Sequence, residues 1–126
     1  MKTAITTRRA GFTLVEIMIV VAIIGLLAAM AIPNFIKSRA TAQQNACINN
    51  LHQIDGAISL WALETGQSTG ATIASVATVS AYIKLNSNGS VPGCPAGGTY
   101  TTTTVGANPQ ISCSLNTLAG TPHRLP

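Results

Sequence analysis

Charge is scarce in this chain: 8% of its 126 residues are charged, and only Glu16, Asp55 and Glu64 are acidic. Three carboxylates, one of them inside an apolar run, leave no paired acids for general acid–base work. They also exclude a carboxylate-rich calcium cage, whose six to eight oxygens, roughly, would here be almost wholly carbonyls and amides. Histidine is equally sparse. His52 and Asp55 sit three residues apart on one helical face, where a solvent-facing polar pair is the ordinary outcome, and His123 lies in a tail broken by Gly120, Pro122 and Pro126. No nucleophile, base and orienting group can be assembled from these, and neither zinc-ligand spacing nor a phosphate-binding loop is evident. Aromatic residues amount to 4% of the chain, too few for a charge-conducting path. Catalysis, a cofactor and a bound metal are therefore not expected.

The net charge of +4 suggests nucleic acid until it is placed along the chain. Lys2, Arg8 and Arg9 precede Gly11. Beyond it, Lys37, Arg39, Lys84 and Arg124 face three acids, a surplus of one. No basic stripe of the kind that tracks a phosphate backbone remains, which argues against a nucleic acid partner. The early charges instead orient whatever apolar segment follows, with its N-terminal end in the cytoplasm.

That segment is present. From Leu14 to Ile32 every residue except Glu16 is apolar, and such a helix covers roughly 30 Å of bilayer. A carboxylate in that setting costs about 2.5–3.5 kcal/mol on insertion scales. Either Glu16 reaches water near the boundary, or it pairs with a positive charge on a second copy of the chain. Cleavage after Gly11 would supply that charge, because Phe12 would then carry an α-amino group that is cationic at neutral pH. Two competing explanations treat the segment as a secretory signal, with Ala29-Met30-Ala31 as the small-x-small cleavage site, or as a plain single-pass anchor.

The run Gly11-Phe12-Thr13-Leu14-Val15-Glu16, continuing to Ala28, resembles the N-terminal signal of type IV pilins and type II secretion pseudopilins. The resemblance covers about the first third of the chain. It implies cleavage after Gly11 by a prepilin peptidase, methylation of the Phe12 amine, and Glu16 as the assembly carboxylate. Gly25 and Pro33 match the helix-weakening glycine and proline of that family. The partners implied are copies of the chain itself, minor pilins, the peptidase and an inner-membrane assembly platform. The acidic ligands of the calcium site that many major pseudopilins carry in a C-terminal loop are absent here.

Beyond the apolar run, Pro33 removes a backbone donor and bends the helix without ending it. Cys47, Ile48, Leu51, Ile54, Ile58 and Trp61 then recur at three- and four-residue spacing, which predicts an amphipathic continuation to about Thr65, stopped by Gly66. Residues 72–84 suit a short second helix. Gly98–Thr104 and Gln110–Ser114 read as two strands joined by a turn through Asn108-Pro109. Cys94 and Cys113 flank this hairpin, and in an oxidising compartment they are expected to pair, closing the loop 95–112 for about 3 kcal/mol. Cys47 is then a small buried hydrophobe, or alternatively bonds one of the other two. The segment Cys94-Pro95-Ala96-Gly97-Gly98-Thr99-Tyr100 is also similar to a Cys-Pro-x-Gly-Gly-x-Tyr element of some short pilin-like proteins.

The expected fold is α+β, with a long N-terminal helix packed by a short helix and a small C-terminal hairpin. Three regions are expected: a leader at 1–11, a membrane or filament-core helix at 12–33, and a small extracytoplasmic domain at 34–126. The function expected is that of a filament subunit, stored in the inner membrane and then polymerised into a pilus or secretion pseudopilus. The alternative is a non-polymerising binding module held at the membrane by its helix.

Overall fold

Uninterrupted apolar residues, followed by a polar-apolar alternation at helical period, fold into α1 (Leu14–Thr65), which continues through Pro33. The computed structural model describes residues 11–126; the leader expected at 1–11 therefore falls, except for Gly11, outside the described residues. Asn34 Nδ2 donates to Met30 O, one turn back, at 3.2 Å. The helix stops as its sequence dictates. Gly66 adopts a left-handed φ of 65°, a conformation that costs a residue without Cβ little. The Gln67 amide then reaches back to Ala62 O at 2.8 Å, the bond that closes a Schellman cap.

The chain divides between Ile36 and Lys37 into two compact units. In the described part of the first, every large apolar side chain from Phe12 to Ile36 is exposed, Leu14 by 75%. A helix apolar all the way round needs a lipid or protein environment. Among the described residues α1 is the one helix long and apolar enough to cross a membrane.

The second unit is built on the later turns of α1. Cys47, Leu51, Ile54, Ala57, Ile58 and Ala62 are buried along one face, while Ile48 and Trp61, expected in the same stripe, are half-buried at its rim. The small residues Ala57 and Ala62 let neighbouring chain come close. Against this face lie a short second helix, Val76–Tyr82, and the hairpin of β1 (Tyr100–Thr102) and β2 (Ile111–Cys113). The second helix is shorter than the 72–84 segment and wound as a 3₁₀ helix. Its β-branched residues and the lack of a side-chain cap at Ser75 disfavour a longer α-helix. Val79 is its buried anchor.

The strands are antiparallel, with Tyr100 opposite Cys113, Thr101 opposite Ser112 and Thr102 opposite Ile111. Period-two alternation turns Ile111 and Cys113 into the core and leaves Ser112 half-exposed. A third stretch, absent from the sequence expectation, lies alongside: Val105 N donates to Ala71 O at 2.9 Å and Gly70 N to Val105 O at 2.8 Å, around a bridge between Thr72 and Thr104. The fold is thus α+β, with the hairpin where its threonine-rich composition places it.

Because Ile54 is fully buried and Leu63 is exposed, their truncations separate. Ile54→Ala should lower stability by about 2–5 kcal/mol, and Leu63→Ala by no more than about 0.5 kcal/mol. Denaturant titration of the detergent-solubilised chain, followed by far-ultraviolet circular dichroism, reads both.

Candidate functional site

At the start of α1 the chemistry is local before it is anything else. Glu16 N donates to Thr13 Oγ1 at 3.3 Å, while Glu16 Oε2 accepts from Thr13 N at 3.1 Å and from Thr13 Oγ1 at 3.2 Å. This reciprocal pair is a capping box, satisfying two of the amides that every helix start leaves without intrahelical partners. The carboxylate also sits at the positive end of the helix dipole. The Thr-x-x-Glu spacing of this box is present in the sequence at Thr13–Glu16. Glu16 Oε1 takes no hydrogen bond among the described residues. Phe12 is exposed, and an added Cβ at Gly25 would meet nothing within 4 Å, leaving that turn open to a close neighbour. Pro33 lies within the helix.

A second constellation lies in the core of the other unit. Cys47 comes from α1, Cys94 from the loop before the hairpin, Cys113 from β2 and His123 from the C-terminal tail. Their three sulfurs and a histidine nitrogen all lie within 4.8 Å of one another. Exposure is 0% for Cys47, 9% for Cys94, 1% for Cys113 and 2% for His123. Cys94 Sγ and His123 Nδ1 are 3.3 Å apart.

The cluster is held from all sides. Gln44 Nε2 donates to Pro122 O at 2.9 Å, and the His123 amide donates to Leu115 O at 3.1 Å, which brings the tail inward. Asn50 Nδ2 donates to Gly93 O at 3.0 Å and to the Tyr100 hydroxyl at 3.4 Å. The Tyr100 hydroxyl in turn donates to Cys47 Sγ at 3.4 Å. A Cβ at Gly98 would stand 2.6 Å from Cys113 Sγ, so the second glycine of the Gly-Gly pair makes room for that sulfur.

The electrostatics of the thiols differ. Burial pushes the Cys47 thiol up to about 12 against the opposing hydrogen bond from Tyr100. Burial also raises the Tyr100 hydroxyl, with the Cys47 contact adding to it. At Cys94 burial disfavours the thiolate too. Hydrogen bonds from Cys47, from the Ala96 and Gly98 amides and from Cys113 together outweigh it, leaving this thiol below its ordinary range.

All three cysteines are free thiols in the structure, so the bond expected between Cys94 and Cys113 is not formed in it. The Cys47 sulfur also lies within 4.8 Å of the other two sulfurs and of the histidine nitrogen. His123, placed by sequence in an irregular tail, is one of the most buried side chains of the described residues. Asp55 and His52 do not form a site together. Asp55 Oδ1 accepts from Gln110 Nε2 at 3.3 Å, tying α1 to the hairpin turn, and His52 is exposed.

Comparison with known proteins fits the N-terminal geometry. Residues 6–32 match the family model described as the prokaryotic N-terminal methylation motif. The type IV major pilin protein PilA of Myxococcus xanthus is 64% identical over 44 residues, 35% of this chain and 20% of that protein. The type II secretion system core protein G of Klebsiella pneumoniae is 33% identical over 60 residues, 48% of this chain and 43% of the relative. Its counterpart from Escherichia coli is 32% identical over 59 residues, 47% and 41% of the two chains. The chain thus spans less than half the length of these curated relatives. No solved structure matches it significantly. The relatives are named as a type IV major pilin and as core proteins of type II secretion systems. Over its N-terminal part, this chain carries the prokaryotic N-terminal methylation motif and is similar to the type IV pilins and the type II secretion core proteins G.

Proposed function

We propose that this chain is the structural subunit of a type IV pilus or type II secretion pseudopilus-like filament. One observation carries the proposal: the helix that holds the methylation motif displays an apolar surface on every side, with a single capped carboxylate at its start. Such a surface is stable in a bilayer, and equally stable when surrounded by identical helices. The chain would wait in the inner membrane with its N-terminal end in the cytoplasm, as the charges of Lys2, Arg8 and Arg9 favour. A prepilin peptidase would cut after Gly11 and leave Phe12 as the methylated terminus. An assembly platform would then pass the subunit into a filament, and minor pilins would share the same helix-to-helix contact.

Within that filament Glu16 Oε1, without a partner among the described residues, would accept the Phe12 amine of a neighbour and set the axial stagger. A heterologous contact of this kind, repeated without closure, generates a helical polymer. Gly25 and Pro33 would be the places where the helix yields during packing. The second unit, Lys37–Pro126, would face outward.

Mass spectrometry of the protein from its native membrane should find an N-methylated Phe12 as the first residue. A chain still uncut at Gly11 would leave the tethered, non-polymerising module as the better description. Glu16→Gln separates the two uses of that side chain, since glutamine can complete a capping box but carries no charge. Subunits with this substitution should insert and remain helical yet give at least tenfold fewer filaments by electron microscopy. Thr13→Val should instead cost about 1 kcal/mol of helix stability, seen as faster amide hydrogen exchange over residues 14–17. Normal filaments from Glu16→Gln would overturn the charge pairing.

A further inference from the structure

We propose that Cys47, Cys94, Cys113 and His123 are the four ligands of a structural zinc ion in the C-terminal unit, with three sulfurs and His123 Nδ1 as donors. The inference stands on the cluster itself and is independent of whether the chain polymerises.

Geometry is the first support. A tetrahedral zinc with Zn–S near 2.3 Å and Zn–N near 2.0–2.1 Å places its ligand atoms roughly 3.5–3.8 Å apart. All four donor atoms here lie within 4.8 Å of one another, so no pair exceeds that spacing by more than about 1 Å, a distance that small side-chain rotations cover. Three thiols and one imidazole are also the donor set that suits zinc, and that calcium or magnesium would reject.

The surroundings supply the rest. A zinc centre needs donors around its sulfurs to orient them and to balance their charge. Binding a divalent cation releases the three thiol protons to solvent, keeps the imidazole neutral, and leaves one net negative charge on the centre. The Tyr100 hydroxyl points at Cys47 Sγ at 3.4 Å. The turn after Cys94 is closed by a hydrogen bond from Gly97 N to Cys94 O at 3.0 Å. Proline in the second position and glycine in the fourth are the residues such a turn prefers. Removing Cβ at position 98 also lets Cys113 Sγ approach. The Cys-Pro-x-Gly-Gly-x-Tyr element is thereby accounted for residue by residue: one ligand, the turn that surrounds it, the clearance for a second ligand, and the hydroxyl that supports a third.

A disulfide explains less. It would use two of three sulfurs, leave the third thiol spare, and give no reason to draw a histidine to 2% exposure. One cation, by contrast, joins α1, the loop before the hairpin, β2 and the tail at a single point. A small unit with two three-residue strands and a 3₁₀ helix has limited core to hold those four segments together.

The full processed chain, purified in detergent without chelator or added metal, should contain one zinc per polypeptide by plasma mass spectrometry. Denatured without reductant, it should yield three titratable thiols. Cobalt(II) in place of zinc should give the absorption of a tetrahedral thiolate site. His123→Ala should reduce bound zinc at least tenfold, although it touches no sulfur chemistry. Tyr100→Phe, which removes only the hydroxyl donor, should weaken zinc about 10-fold in competition with a chromogenic chelator. A single titratable thiol and no metal would show a disulfide and overturn the proposal. Three thiols without metal would overturn it as well.

Discussion

An apolar helical surface that the described chain does not cover is the constraint on which everything else depends. From Phe12 to Ile36 no large apolar side chain is buried among the described residues, and burying each would be worth about 1.5–3 kcal/mol. The summed driving force far exceeds the stability of any small domain. The segment therefore belongs in lipid or against other helices. Low overall charge is consistent with this, since a chain that hides much of its surface has little use for a highly solvated exterior.

The second unit answers a different problem. Its core is small, and one residue of the buried helix face, Cys47, is also a member of the thiol–histidine cluster. Cys47 and Leu51 sit one turn apart on α1, so the cluster continues the apolar core and does not interrupt it. Hydrogen bonds from Gln44, Asn50 and Tyr100 surround it with oriented polar groups. A zinc ion there would connect segments that the hairpin's few backbone bonds cannot hold by themselves.

Much of this was legible in the sequence, and the reason is local. The helix from Leu14 to Thr65 follows from an apolar run, a period of three and four, and Gly66 just beyond its end. The hairpin follows from the threonine run and the Asn-Pro turn. What was not legible depends on long-range closure. Cys47, Cys94, Cys113 and His123 are far apart in sequence and show none of the short spacings by which metal ligands announce themselves; only their convergence in space makes them a site. The bridge between Thr72 and Thr104 was hidden in the same way. Thr13 is the instructive exception. Its role requires nothing beyond the four consecutive residues Thr13 to Glu16, yet a charge inside an apolar run points equally well to a partner on a neighbouring molecule.

The capping box changes how that charge should be weighed. An unpartnered carboxylate in a membrane helix would be a standing penalty that only assembly could relieve. Glu16 is not in that position, because Oε2 already accepts two hydrogen bonds from Thr13 and the helix dipole favours its negative charge. Part of the desolvation cost is thus met within the monomer. In the proposed filament, the gain left for a neighbour's amine would be the remainder, carried by Oε1. A contact of intermediate strength would suit a chain that, as proposed, is stored in one environment and moved into another. Were the carboxylate wholly unsatisfied, monomers would associate in the membrane without any assembly machinery; were it wholly satisfied, the amine would add nothing. By holding the carboxylate in one orientation, Thr13 would, in the proposed filament, fix the direction from which a second chain could approach.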